Sequence, residues 1–438
     1  MTAPTTTTSA VRRATWAVLA VFFVAGFGFA SWASRIPAVR DELGYSEGQM
    51  GLLLLFMAIG SIVSLPLAGM VVQRLGASRT VLAFAGLNAV GWIGTVVAID
   101  LGQPVLVRVA LLLTGIGTGV WDAAMNLEGA TVEQRLGRAI MPRFHAFFSF
   151  GTVAGAGLGF VAAWAGVPVT VHLVVAVGAG LAVVAWAVRA FLAPADDAGA
   201  GSTVAASDAH EVVDVAAGPA TMSDKATPST ATPSAAKAAL AAWREPRTLL
   251  IGFVVLAAAL TEGAANDWVS LAVVDGFDTA NEVGALGLAV FLAAMTGMRL
   301  LGTGLLDRFG RVAVLRISAG LALAGLLVFT LVPSLWAALV GVALWGLGAA
   351  MGFPVGMSAA SDDPAHAAAR VSVVATIGYS AFFIGPPLIG FLAEHIGGYR
   401  HALLVIAVPL VVGLVVAGAA RPLPSTDTTG SPRADAAA

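Results

Sequence analysis

Long apolar stretches recur along almost the whole chain, and each is long enough to cross a bilayer as a helix. The hydrocarbon core of a membrane takes about 20 helical residues. Within 438 residues, twelve such segments fall near 14–34, 48–72, 80–99, 104–127, 143–164, 167–190, 248–271, 283–306, 312–332, 334–358, 371–393 and 400–420. In lipid every backbone polar group must be satisfied internally, which for continuous runs of this kind means helix. A content of 58% hydrophobic and 11% charged residues lies outside the range of a soluble globular chain. The expected fold class is therefore all-α: a polytopic membrane protein with twelve transmembrane helices, here called spans 1 to 12.

Charge sets the expected orientation. With the N-terminus inside, 18 of the 23 Arg and Lys residues fall on cytoplasmic segments; Arg35, Arg40, Arg108 and Arg400 fall outside and Arg299 within a span. This is the positive-inside pattern, with both termini cytoplasmic and the chain in the cytoplasmic (inner) membrane. Arg12 and Arg13 precede the first apolar run, but that run is longer than the 7–15 residues of a signal-peptide core, so it reads as an uncleaved first helix. Cysteine is absent, which excludes disulfides and thiolate metal sites. The net charge of −2 argues against nucleic acid as a partner.

Residues 193–247 break the pattern, being rich in Ala, Thr, Ser, Asp and Pro. Such a segment buries too little to fold and reads as a disordered cytoplasmic linker. It divides the chain into a tail (1–13), a six-helix bundle (14–192), the linker, a second six-helix bundle (248–420) and a second tail (421–438). The halves echo each other. Gln73-Arg74-Leu75-Gly76 after span 2 returns as Asp307-Arg308-Phe309-Gly310 after span 8, at an offset of 234. Gly115 and Gly117 in span 4 return as Gly346 and Gly348 in span 10, at an offset of 231. Duplicated halves of this kind place a site between bundles that rock against each other.

Two spans carry an acid followed one helical turn later by asparagine: Asp122 and Asn126 in span 4, Glu262 and Asn266 in span 7. A carboxylate at the centre of a spanning helix costs about 2.5–3.5 kcal/mol on insertion scales, so such residues mark proton or substrate handling. Asp122 and Glu262 are the candidate proton-coupling groups. Asn126, Asn266, Trp121, Trp345 and Tyr379 are candidate substrate contacts, against the alternative that the aromatics only pack helices. Arg299 in span 8 must face protein and find an acid or carbonyls, which favours a structural role. Glu128 is expected to pair with Arg135 or Arg138. Asp267 and Trp268 read as outer-interface residues, and His145 and His172 as packing residues.

The Asp307-Arg308-Phe309-Gly310-Arg311 loop, and its weaker copy at Gln73 and Arg74, resemble the signature loop of the major facilitator superfamily. The resemblance covers nearly all of the chain outside the linker and tails. It implies two pseudo-symmetric six-helix bundles, a central cavity lined by spans 1, 4, 7 and 10, and a latch in which an acid and arginines join helices on the cytoplasmic side. Gln73 stands where that family has an acid, which implies a weaker first latch. Asp122-Ala123-Ala124-Met125-Asn126 is similar to an element of fucose-permease-like proton symporters whose acid helps carry the proton. The chain departs from them at Ala33 and Phe148, where they carry aspartate and asparagine, so fucose does not carry over as substrate. It also resembles a group of bacterial inner-membrane facilitators with Glu-Gly-x-x-Asn-Asp-Trp elements.

The expected function is a monomeric secondary transporter moving a small solute by alternating access, coupled to protons and without a cofactor or bound metal. Proton-driven efflux is the alternative. Gly356-Met357-Ser358 and Gly378-Tyr379-Ser380 superficially resemble nucleophile contexts, but no intramembrane histidine is placed to serve either serine, and no Walker loop or zinc motif is present. No enzymatic activity is expected.

Overall fold

A computed structural model describes residues 5–138, 140–192, 240–363 and 366–423. Most of the expected linker, residues 193–239, and most of the second tail lie outside the described residues. Eleven helices among the described residues are long and apolar enough to cross a membrane. One of them, Asn281–Leu331, has 51 residues, about 76 Å at 1.5 Å per residue, far more than one crossing needs. It is two spans. Gly310 sits at φ 74°, ψ 163° inside it and turns the chain back, so spans 8 and 9 are both present and the total is twelve.

The remaining spans follow the apolar runs. Span 1 is Thr5–Ala33, span 2 Glu47–Leu75, span 3 Ala77–Asp100, span 4 Pro104–Leu136, span 5 Met141–Trp164 and span 6 Val169–Ala187. Span 7 is Pro246–Phe277, span 11 Ala367–Ile396, and span 12 alternates α and 3-10 turns between Tyr399 and Ala420. Span 1 begins before the expected boundary because Val11 and Ala14 continue its buried face. Span 2 opens on a capping box: Ser46 Oγ accepts from Gln49 N–H, and the Gln49 side chain accepts from Ser46 N–H. Span 10 is interrupted, running Leu335–Ala349 and then Gly352–Ala360.

The internal echo holds in three dimensions. Gly76, at φ 78° and ψ 157°, separates spans 2 and 3 in the same conformation by which Gly310 separates spans 8 and 9. That backbone region admits glycine far more readily than any L side chain. A Cβ at Gly115 would overlap the carbonyl of Met57 in span 2, and one at Gly346 the carbonyl of Phe291 in span 8. Gly117 likewise abuts Asn88 in span 3, and Gly348 abuts Ala322 in span 9. Met57 and Phe291 stand 234 positions apart, as do Asn88 and Ala322. Gly115→Ala and Gly346→Ala are therefore each expected to destabilise the protein by about 1–3 kcal/mol, the usual cost of overpacking. Thermal unfolding of purified variants checks this. Gly157→Ala, with open space around the glycine, should unfold near the parent temperature.

Spans 1 to 6 pack among themselves, as do spans 7 to 12, and the halves meet where span 2 lies on span 11 and span 5 on span 8. The approach is tight at the face opposite the termini. There the backbone of Gly51 touches that of Pro386 and Gly390. Arg40, in the short helix Ile36–Leu43, donates to Asp275 at the end of span 7, and Asn281 donates to Asp41 at 3.2 Å. Burial opposes the Arg40 cation, but the Asp275 and Asp41 carboxylates outweigh it and raise its pKa.

At the termini face, a polar cluster ties the second half together. Asp362 accepts from Arg311 at 2.5 Å and from Arg247 at 2.8 Å, and Arg311 also donates to Ser358 Oγ. Arg370 donates to Glu245 at 2.7 Å, which lowers the Glu245 pKa. The expected latch partner Asp307 is exposed, as are Gln73 and Arg74, and Arg308 lies over the Phe309 ring. The loop's cation, Arg311, thus binds the acid between spans 10 and 11 rather than Asp307.

Candidate functional site

A cavity of about 630 Å³ lies between the halves, within the range of small-molecule sites. Spans 1 to 8 and 11 contribute to its wall. Most of the lining is apolar, which makes its few polar groups conspicuous. Span 4 supplies Trp121 and Asp122. Span 7 supplies Glu262, Asn266 and Asp267; span 8 supplies Arg299; span 11 supplies Tyr379 and Ser380.

Five of the seven residues expected at a proton or substrate site thus line one space. Asn126 and Trp345 are not in the lining. Asn126 is 7% exposed, and its Nδ2 bonds back to the Asp122 carbonyl at 3.0 Å, along its own helix. The turn that aligns an acid with an amide also lets the amide N–H bond its own helix, while Asn126 Oδ1 is buried without a partner among the described residues. Trp345 is fully buried against Phe291 and Phe329, with ring centroids at 5.7 and 6.1 Å. The repeat explains this: 231 positions before Trp345 lies Thr114, which packs on Gly91 of span 3, and Trp345 packs on Gly325 of span 9. The position faces the neighbouring helix in both halves, not the cavity.

Glu262 and Arg299 form a buried ion pair, Arg299 Nη2 donating to Oε2 at 3.0 Å and to Oε1 at 3.2 Å. Arg299 Nε also points at the Ala350 carbonyl, 3.5 Å away, in the break of span 10. Pro354 lacks the N–H that would have taken that carbonyl in a continuous helix. A proline in one span thus frees an acceptor for a guanidinium from another. This joins spans 7, 8 and 10 at the cavity wall.

Asp122 and Asp267 differ from Glu262: no hydrogen bond or ion pair engages either carboxylate among the described residues. Buried Asp122 Oδ2, Asn266 Oδ1 and Trp121 Nε1 have no hydrogen-bond partner. Asp267 does not cap a helix break, because span 7 runs unbroken through it and on to Phe277. It lines the cavity, as does His145, which is buried edge-on to Phe22 at 5.1 Å and lies within electrostatic reach of Arg299 in the other half. The intramembrane-acid rule that singled out Glu262 applies equally to Asp267. Its place beside Trp268, a common interfacial residue, masked that signal. Trp268 is itself buried, its ring tilted by 31° against that of Tyr399 with centroids 5.1 Å apart.

Glu128 lies outside the cavity lining and accepts from Leu192 N–H at 2.7 Å, tying the ends of spans 4 and 6 together. Ser358 bonds Arg311, and Ser380 donates to the Ile377 carbonyl at 2.6 Å, so each serine of the nucleophile-like contexts is engaged without a histidine.

The family model described as Major Facilitator Superfamily matches residues 18–297 and 251–437. Transporter y4wD of Sinorhizobium fredii is 32% identical over 379 residues, 86% of this chain and 90% of its own length. Membrane protein MosC of Rhizobium meliloti is 28% identical over 410 residues, 90% of this chain and 88% of its own. Among solved structures, the nucleoside transporter NupG is similar with a TM-score of 0.70 at 14% identity, over 93% of this chain and 98% of that one. A variant of the E. coli fucose:proton symporter FucP gives 0.59 at 15% identity, over 93% and 98%. Twelve spans in two echoing halves, a cavity between them and a family match over nearly the whole length lead to one assignment: the chain is a multi-pass membrane transporter of the Major Facilitator Superfamily.

Proposed function

We propose that the protein is a proton-coupled secondary transporter that moves a small solute across the cytoplasmic membrane by alternating access, with both termini in the cytoplasm. The observation that carries this reading is the unpaired Asp122 carboxylate in a cavity walled by both halves. A carboxylate without a cation, in a site of low dielectric, gains most by taking up a proton. If the cavity opens first to one side and then to the other, that proton crosses with the solute. Glu262 is the second exchangeable acid, its charge balanced by Arg299 in the present arrangement.

The contacts at the face opposite the termini support an inward-open reading. Arg40 with Asp275 and Gly51 against Gly390 hold the outer ends of the halves together. The exposed Asp307 fits the same state, since its latch to a cytoplasmic arginine belongs to the outward-open one. Asp307→Asn is then expected to shift the population toward inward-open, and the uncharged change Gln73→Asn to shift it less. Labelling of single cysteines at each cavity mouth reads this out, and equal labelling in the two variants would remove the latch.

Proton coupling is tested in proteoliposomes offered labelled sugars, sugar acids, amino acids and organic amines under an imposed pH gradient. Uphill accumulation of one solute that stops when the gradient is collapsed is the expected result. Accumulation indifferent to the gradient would refute coupling.

A further inference from the structure

We infer that the solute is an amphipathic organic cation, a primary or secondary ammonium attached to an aromatic or apolar body, with Asp267 and Asn266 as its anchor. The inference rests on the reading of the cavity as the solute path and adds the chemical class of what travels through it.

Charge in the wall is unbalanced. Three carboxylates line the cavity, those of Asp122, Glu262 and Asp267, with one guanidinium, that of Arg299, and one imidazole, that of His145. The guanidinium is already held by both oxygens of Glu262. No lysine is among the described residues; the chain's two, Lys225 and Lys237, belong in sequence to the polar segment between the halves. With the coupled proton on Asp122, an anionic solute would still meet the uncompensated Asp267 and find its one guanidinium partner engaged.

Hydrogen-bonding capacity is unbalanced in the same sense. Among the described residues, Asp122 Oδ2 and Asn266 Oδ1 are buried acceptors without a donor, against one such donor in the lining, Trp121 Nε1, and no hydrogen bond engages the Asp267 carboxylate. Trp121 is 7% exposed and lines the cavity, with its Nε1 buried within the wall. A proton on Asp267 would neutralise that carboxyl but bring only one O–H donor for it and its neighbour Asn266. An ammonium brings two or three N–H donors and can satisfy both neighbours at once. Its positive charge also offsets the carboxylate, at charge-assisted hydrogen-bond strength.

The rest of the wall suits the rest of such a molecule. Trp121, Phe27, Phe148, Tyr379 and Phe382 are among the residues that line the cavity. Aromatic faces attract cations and stack on apolar rings, and both effects grow when water is excluded.

The test is equilibrium binding to the purified full chain at neutral pH, without any gradient. Three probes of one shape are compared: phenethylamine (a cation), phenethyl alcohol (neutral) and phenylpropionate (an anion). Phenethylamine is expected to bind at least tenfold more tightly than either of the others and to raise the unfolding temperature by mass action. Asp267→Asn is expected to weaken amine binding at least tenfold and leave the alcohol unchanged. Equal binding of amine and alcohol, preference for the carboxylate, or binding of none of the three would overturn the inference. So would an Asp267→Asn variant that binds the amine like the parent. If Asp267→Asn does not fold, the three-probe comparison on the parent still decides. Because no gradient is used, amine binding without proton-driven accumulation would refute the coupling and leave the solute class standing.

Discussion

Replacing Glu262 with glutamine is expected to be among the most destabilising single changes in this protein. The substitution preserves shape and removes only the charge that balances Arg299. Breaking a buried ion pair from one side costs about 3–5 kcal/mol, because the remaining ion stays buried without a counter-charge. Arg299→Met should cost a similar amount, now with Glu262 stranded. The double variant, Glu262→Gln with Arg299→Met, should recover most of the loss, since no charge is left unbalanced. Thermal unfolding in detergent measures all three. A double variant less stable than both singles would mean that the pair is not the unit that matters. Arg299 also reaches the Ala350 carbonyl, so a residual deficit in the double variant would reflect that lost contact.

Asp122→Asn is expected to abolish uphill, proton-driven accumulation altogether while leaving exchange of solute across the membrane. Asparagine keeps the size and a carbonyl acceptor but cannot carry a proton. Each pKa unit by which a carrier acid differs between the two states contributes about 1.4 kcal/mol to coupling, equivalent to a tenfold gradient. Removing the titration removes that entire contribution. Unlike Glu262, Asp122 has no counter-ion to strand, so the variant should fold like the parent. Proteoliposomes with an imposed pH gradient separate the two activities. If Asp122→Asn combined with Glu262→Gln still accumulates solute against its gradient, neither carboxylate carries the proton.

Much of the fold is legible because lipid leaves little choice: an apolar run of about 20 residues has to become a helix. Even the 51-residue helix resolves correctly from sequence, since the Gly310 break coincides with the polar Asp307–Arg311 loop. The site is legible only in part. Asp122 and Glu262 stand out because charge in lipid is costly, whereas the Glu262–Arg299 pair joins residues 37 apart on different spans. No local pattern encodes that pairing. Trp345 shows the opposite case, a misplacement the sequence itself could have prevented. The repeat offset that relates Gly115 to Gly346 also relates Thr114 to Trp345, and so assigns the tryptophan to a helix seam. Asn126 lies off the lining for a local reason, because helix geometry lets an amide N–H bond its own backbone as easily as a ligand.

The central claim is that the cavity between the halves opens alternately to the two sides of the membrane. It can be tested without knowing the solute, because the parent chain has no cysteine. Ser380→Cys places a thiol in the cavity wall. Arg40→Cys and Asp275→Cys place a second pair at the outer ends, where a short cleavable bifunctional thiol reagent can clamp the halves together before Ser380→Cys is probed. Unclamped, the cavity thiol should react with a membrane-impermeant maleimide applied from either side. Clamped, it should react only from the cytoplasmic side, and cleaving the clamp should restore reaction from outside. Outside labelling that survives the clamp, or a cavity thiol that never reacts from outside, would contradict alternating access through this cavity.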